Sequence, residues 1–189
     1  MEERLTQALV RTILEHAEDY PWRMQDIGLL GVTLDDRKEF RLHVWDPTCC
    51  DFEDDPPIHD HPYDFTSTII AGEMTNTRYE EDQAGTAFTR FRFAPGNERG
   101  RTADTVHLSG VGTTYTAGGR YQQLAHELHD SRQLPGTVSV IRCTFRDPPF
   151  LTVCRQGPDW VTGQSRAATS EEVKTITCKA LQWFEPLSH

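Results

Sequence analysis

From Leu29 to Cys154 the chain is written almost entirely in short alternating runs separated by polar or glycine-rich turns. This rhythm limits the fold more than any other feature, because side chains two apart share one face of a strand. Leu29–Leu34 and Phe40–Trp45 flank the turn Asp35–Lys38 and read as a hairpin. A central strand is expected from His59 to Ile70, with a turn at Ala71–Glu73 and a return over Met74–Tyr79. A second turn is expected over Glu80–Gly85, before a strand at Ala87–Phe93. Thr105–Leu108, Gly112–Thr116, Tyr121–Leu124, Thr137–Cys143 and Leu151–Cys154 complete the set, with Gly118-Gly119 as a tight turn. Short strands at this spacing predict an all-β sandwich or barrel.

Helices are expected only at the two ends. Leu5, Leu9, Ile13 and Ala17, widened by Val10 and Leu14, give a helix over Glu3–Asp19 that Pro21 stops. Thr169 and Glu172 form a capping box ahead of Val173, Ile176, Ala180, Leu181 and Phe184. The domain organisation expected is a helical extension over 1–28, a β barrel over 29–154 and a helix-bearing extension over 155–189.

Composition narrows function mainly by exclusion. A formal charge of -10 over 189 residues disfavours nucleic acid and anionic membrane as partners. No apolar run is long enough to span a bilayer and no signal-peptide pattern opens the chain, so a cytoplasmic protein is expected. Five cysteines, Cys49, Cys50, Cys143, Cys154 and Cys178, include no C-x-x-C pair, so free thiols are expected.

The chemistry concentrates at Pro57-Ile58-His59-Asp60-His61-Pro62. Two histidines two apart on one strand aim both imidazoles at one point, and neutral imidazole is the commonest metal ligand in proteins. A third ligand must come from elsewhere; Gly118–Gln133 offers His126 and His129. Arg41, His43 and Trp45 share one strand face, which either lines a pocket mouth for an acidic group or faces solvent. Tyr63, Tyr79 and Tyr115 are candidate phenol donors, and Arg120 and Tyr121 are the neighbouring pair to test for substrate contact.

These residues resemble the two motifs of the cupin superfamily, the small double-stranded β-helix barrels of jelly-roll type. The first motif, G-x5-H-x-H-x3,4-E-x6-G, is matched by His59, His61 and Gly72, with Glu53 in place of the opening glycine and Phe65 in place of the glutamate. The second, G-x5-P-x-G-x2-H-x3-N, is matched by Gly118 and His129, with Leu124, His126 and Gln133 at the remaining positions. The resemblance covers residues 29 to 154. It implies His59, His61 and His129 as ligands of a divalent metal. Without the glutamate it looks like the three-histidine Fe(II) cupins of the thiol and diketone dioxygenase type, with Zn, Mn, Ni or Cu as other possible ions. Asp64 replaces the missing carboxylate only if a bulge turns it inward. The function expected is a dioxygenase acting on a small-molecule substrate. A cupin lyase, isomerase or hydrolase that uses no oxygen, and a non-catalytic binding cupin, are the alternatives. Tyr115, Arg120 and Tyr121 are the expected catalytic residues beside the metal, and the resemblance also implies a homodimer.

Overall fold

The computed structural model describes residues 7–25, 27–49, 57–93, 101–145, 151–155 and 165–184. In chain order the elements are α1 (Gln7–Glu15), β1 (Arg23–Gln25), β2 (Leu29–Thr33), β3 (Phe40–Trp45), β4 (Ile58–His59), β5 (Tyr63–Ala71), β6 (Glu73–Phe93), β7 (Arg101–Thr116), β8 (Arg120–Gln123), β9 (Leu128–Gln133), β10 (Thr137–Phe145), β11 (Leu151–Arg155), β12 (Arg166–Ala167) and α2 (Ser170–Leu181). The chain is mostly β, as its alternation predicts. The strands form two sheets, one ordered β12-β1-β2-β3-β10-β5-β8 and the other β11-β4-β9-β6-β7. Each strand pairing is antiparallel.

Alternation along β3 divides the first sheet into two environments. Phe40, Leu42 and Val44 are buried on one face, and Arg41, His43 and Trp45 occupy the other. Leu42 and Val44 join Leu30, Val32, Val138 and Val140 in a core that α1 and α2 cover with Val10, Ile13, Leu14, Ile176 and Ala180. The α1 stripe is Val10, Ile13 and Leu14, continued by Ala17 just past its end, while Leu9 points outward at 43% exposure. The predicted helix is therefore rotated from the Leu5–Leu9 line, and its first residues, 3–6, lie outside the described segments. The capping box of α2 forms as expected: Glu172 N donates to Thr169 Oγ1 at 3.2 Å and Thr169 N to Glu172 Oε2 at 2.8 Å. Lys179 on α2 donates to the buried Asp46 carboxylate at 2.5 Å, which ties the helix to the end of β3.

Three sequence expectations are corrected. Glu80–Gly85 is not a turn that ends a strand. Glu81 and Thr86 both pair with Leu108, so residues 82–85 loop out as an irregularity within one long β6. Asp82 closes this loop by accepting from Ala84 N and Ser109 Oγ. Thr105–Leu108 and Gly112–Thr116 are likewise one strand, β7. The expected central strand His59–Ile70 is two strands in different sheets. β4 pairs with β9 and β11, β5 pairs with β10 and β8, and the chain crosses between sheets at Asp60-His61-Pro62. Proline at 62 cannot donate to a ladder, which favours the break there.

β1 and β12 lie before residue 29 and after 154, yet both hydrogen-bond into the first sheet. Glu53, which stands in place of the first motif's opening glycine, lies outside the described residues. Cys49, Cys143, Cys154 and Cys178 are free thiols, and Cys50 is not described. No described helix is long and apolar enough to cross a membrane.

Leu42 is fully buried under both helices. Leu42→Ala should cost about 2–5 kcal/mol of unfolding free energy in chemical denaturation. Leu9→Ala, on the exposed side of α1, should stay within about 0.5 kcal/mol.

Candidate metal centre

The crossing between sheets builds the centre. His59 ends β4 and stands directly opposite His129 of β9 in the antiparallel register. The crossing at Asp60-His61-Pro62 then brings His61 beside both. The three imidazoles lie with ring centroids 4.7 to 5.1 Å apart. One ligand atom from each falls within 4.8 Å of the others, so His59, His61 and His129 could hold a metal ion. His61 Nε2 and His129 Nε2 are 3.0 Å apart. Two nitrogens bound about 2.0–2.1 Å from one ion at a right angle are separated by about 3 Å, so the spacing suits neighbouring ligands.

Two of the rings are oriented from behind. His59 Nδ1 donates to the Pro57 carbonyl at 3.0 Å, and His129 Nδ1 donates to Asn76 Oδ1 at 2.8 Å. Committing Nδ1 as donor leaves the Nε2 lone pair for the ion. Asn76 is itself held: Ser131 Oγ donates to its Oδ1, its Nδ2 donates to Gln123 Oε1, and Gln123 Nε2 donates to the Glu127 carbonyl. Asn76 and Gln123 are both buried, so the network is shielded from water.

Burial is the main cause that lowers all three histidine pKa values, with those of His61 and His129 falling well below the usual range. For His61, the neighbouring His59, His129, His43 and Arg41 add to the effect. Three neutral imidazoles at neutral pH are the protonation state that metal binding requires.

Phe65 stands beside the centre, 6% exposed, with its ring 5.2 Å from that of His61 and 5.8 Å from that of His129. An aromatic ring thus stands beside the ligands at this position. Asp64 does not turn inward; its Oδ1 accepts from Ala125 N at 2.8 Å. His126 also stays out of the cluster. Its backbone is left-handed, at φ 66°, and its Nδ1 lies 3.3 Å from Asp60 Oδ2.

The cluster opens on a cavity of about 360 Å³ between the two sheets. Arg41, His43 and Trp45 line it, so this strand face turns inward and not to solvent. Burial, aided by Arg41, pushes His43 down to about 3, so the ring is neutral. Tyr63 stacks on His61 at 4.9 Å, and the Arg41 guanidinium lies 5.4 Å from the Tyr63 ring centre. Burial pushes the Tyr63 phenol up to about 12, against the pull of Arg41, so it remains a donor.

Of the expected catalytic residues, Tyr121 lines the cavity, with its hydroxyl 3.4 Å from Met74 Sδ. Tyr115 packs against the Tyr121 ring at 4.9 Å, behind the cavity wall. Arg120 is not brought to the centre. It neighbours the inward Tyr121 in β8, so alternation sends it to the opposite face, where it is exposed beside Phe40, Thr68 and Arg142. The sequence did not single out Asn76. An asparagine inside a β-rich run, where that residue is disfavoured, was the available signal.

Comparison with protein-family models and with curated proteins returns no match.

Two outcomes follow from this geometry. Asn76→Ala removes the acceptor behind His129 and should weaken metal affinity about 10–100-fold in a chelator-competition titration. The depressed histidines also set a pH dependence. Between the folded values and the unfolded value near 6.5, the unfolded chain binds more protons, so stability rises with pH in that window. The metal-free protein should lose stability as pH falls below about 6.5, His43 alone contributing up to about 2 kcal/mol by pH 5. Thermal unfolding between pH 7.5 and 5, with His43→Phe flattening the slope, measures it.

Proposed function

We propose that the chain is a metal-dependent enzyme of the cupin type, a mononuclear non-haem Fe(II) dioxygenase acting on a small polar metabolite, with the two sheets forming its jelly-roll barrel. The observation that carries this is the convergence of three neutral imidazoles on an internal cavity that Phe65 lines and that no carboxylate lines among the described residues. A ferrous ion there supplies Lewis acidity towards a substrate anion and electrons towards dioxygen.

The chain's own groups supply the remainder. Arg41 presents a guanidinium on the cavity wall, which suits a substrate carboxylate. Tyr63, protonated and stacked on His61, offers a hydrogen bond to a substrate oxygen close to the centre. Trp45, Phe65 and Ile141 line the same space and exclude bulk water from it. A volume of about 360 Å³ suits a metabolite and not a polymer.

A second reading rests on Tyr63. A phenol beside the centre could serve as the acid of a lyase, isomerase or hydrolase that holds Zn, Mn, Ni or Cu and uses no oxygen. A non-catalytic binding role is the third.

Anaerobic reconstitution with Fe(II), followed by oxygen-electrode screening of small thiols and enolisable carboxylates, tests the proposal. Substrate-dependent oxygen uptake that His129→Ala abolishes is expected. Turnover that persists under nitrogen would move the assignment to the second reading. Ligand affinity indifferent to His59→Ala and His129→Ala would move it to the third.

A further inference from the structure

Three neutral ligands leave a bound divalent ion with its whole charge inside the protein. Two carboxylates lie next to those ligands in sequence, and both are buried. Asp60 separates His59 from His61 and is 2% exposed; Asp130 follows His129 and is 3% exposed. Neither makes an ion pair with a lysine or arginine among the described residues; His126 Nδ1 lies 3.3 Å from Asp60 Oδ2. Asp60 Oδ1 accepts from Thr152 N at 2.5 Å, and Asp130 Oδ2 accepts from the Tyr79 hydroxyl at 2.7 Å. Asp130 Oδ1 is buried with no hydrogen-bond partner among the described residues.

A buried carboxylate oxygen without a partner is costly, and a fold keeps one only where something else compensates it. The cavity face holds the imidazoles, while neither aspartate lines the cavity. Asp130 follows His129 directly in β9, and adjacent strand residues point to opposite faces. Asp130 therefore cannot be a direct ligand without breaking the strand pairing, and the Asp60 carboxylate is engaged away from the cavity at Thr152 N. Both nevertheless act on the centre through space, each favouring positive charge at the His59 ring.

We propose that Asp60 and Asp130 are the counter-charges of the metal centre, two carboxylates behind the ligands that offset the charge of the dication which the three imidazoles leave uncompensated. This rests on the metal-dependent reading above. It assigns positioning and electrostatic roles to two residues that touch neither ion nor substrate. It also bears on Asp130 Oδ1, which has no hydrogen-bond partner among the described residues and towards which a dication held by His129 would be attractive.

The test is zinc titration of the full chain against a chromophoric chelator, for wild type, Asp60→Asn, Asp130→Asn and the double variant. Asparagine keeps a side-chain oxygen to accept from Thr152 N and from Tyr79, so the substitutions remove charge and little else. Each single variant should lose about tenfold or more in affinity, within the range for groups behind metal ligands, and the double variant more. The visible bands of the cobalt-loaded protein should keep their positions, which a displaced ligand would not allow. The metal-free thermal midpoint of Asp130→Asn should be unchanged or higher than that of wild type. Wild-type affinity in both single variants would overturn the counter-charge role and leave the metal centre standing. Affinity loss with shifted cobalt bands and a lowered metal-free midpoint would overturn it in favour of a structural role. A wild-type chain that takes up no zinc, cobalt or iron would overturn the metal reading itself.

Discussion

The backbone pairing of His59 with His129 is the constraint on which the centre depends. It fixes two imidazoles at one level of the second sheet, and it is made by a strand of only two residues. β4 is held on its other side by β11, where Val153 faces His59 and Cys154 faces Ile58. Asp60 extends that hold past the end of the strand: its amide donates to the Thr152 carbonyl at 3.0 Å, and its carboxylate accepts from the Thr152 amide. From this clamped point the chain crosses to the first sheet and delivers His61. A short strand carries the geometry because hydrogen bonds on both flanks remove the freedom its length would allow.

Desolvation then gives the cluster its chemical state. The same burial that would penalise charged histidines keeps His59, His61 and His129 neutral, and donor–acceptor pairs at Pro57 and Asn76 choose the tautomer. Dryness and ligand competence therefore share one cause. The opposite face of the first sheet has a different task. Its aliphatic side chains are sealed by α1 and α2, so the wall that carries Arg41, His43 and Trp45 is backed by a packed core. A site on such a wall keeps its shape better than one on a loop.

Much of this was legible from the residues. Period-two alternation announced the strands because one face of each is dry, and Thr169-x-x-Glu172 announced α2 because its capping bonds are local. The His-x-His spacing pointed to paired ligands, although the geometry behind it differs from expectation. His59 and His61 converge across a break between sheets and not along one strand. Arg120 and Tyr121 looked equivalent as neighbours in sequence, but strand parity separates them onto opposite faces. The looped segment 82–85 looked like part of a turn because Glu80–Gly85 is mostly polar and ends in glycine, while the pairing that continues on either side is non-local.

The sequence by itself determined the β-rich class, the helical ends, the apolar faces and the types of residue able to bind a metal, since these depend on local periodicity and on side-chain chemistry. Only the tertiary structure decided which histidines meet, that Asn76 stands behind His129, that Phe65 fills the place beside the ligands, and that Asp60 and Asp130 are buried near them. The first two join residues far apart in the chain: His59 to His129 and Asn76 to His129 are brought together by strand register. A register shift of one residue would turn every such side chain to the other face, and local sequence carries no record of which register the sheets adopt.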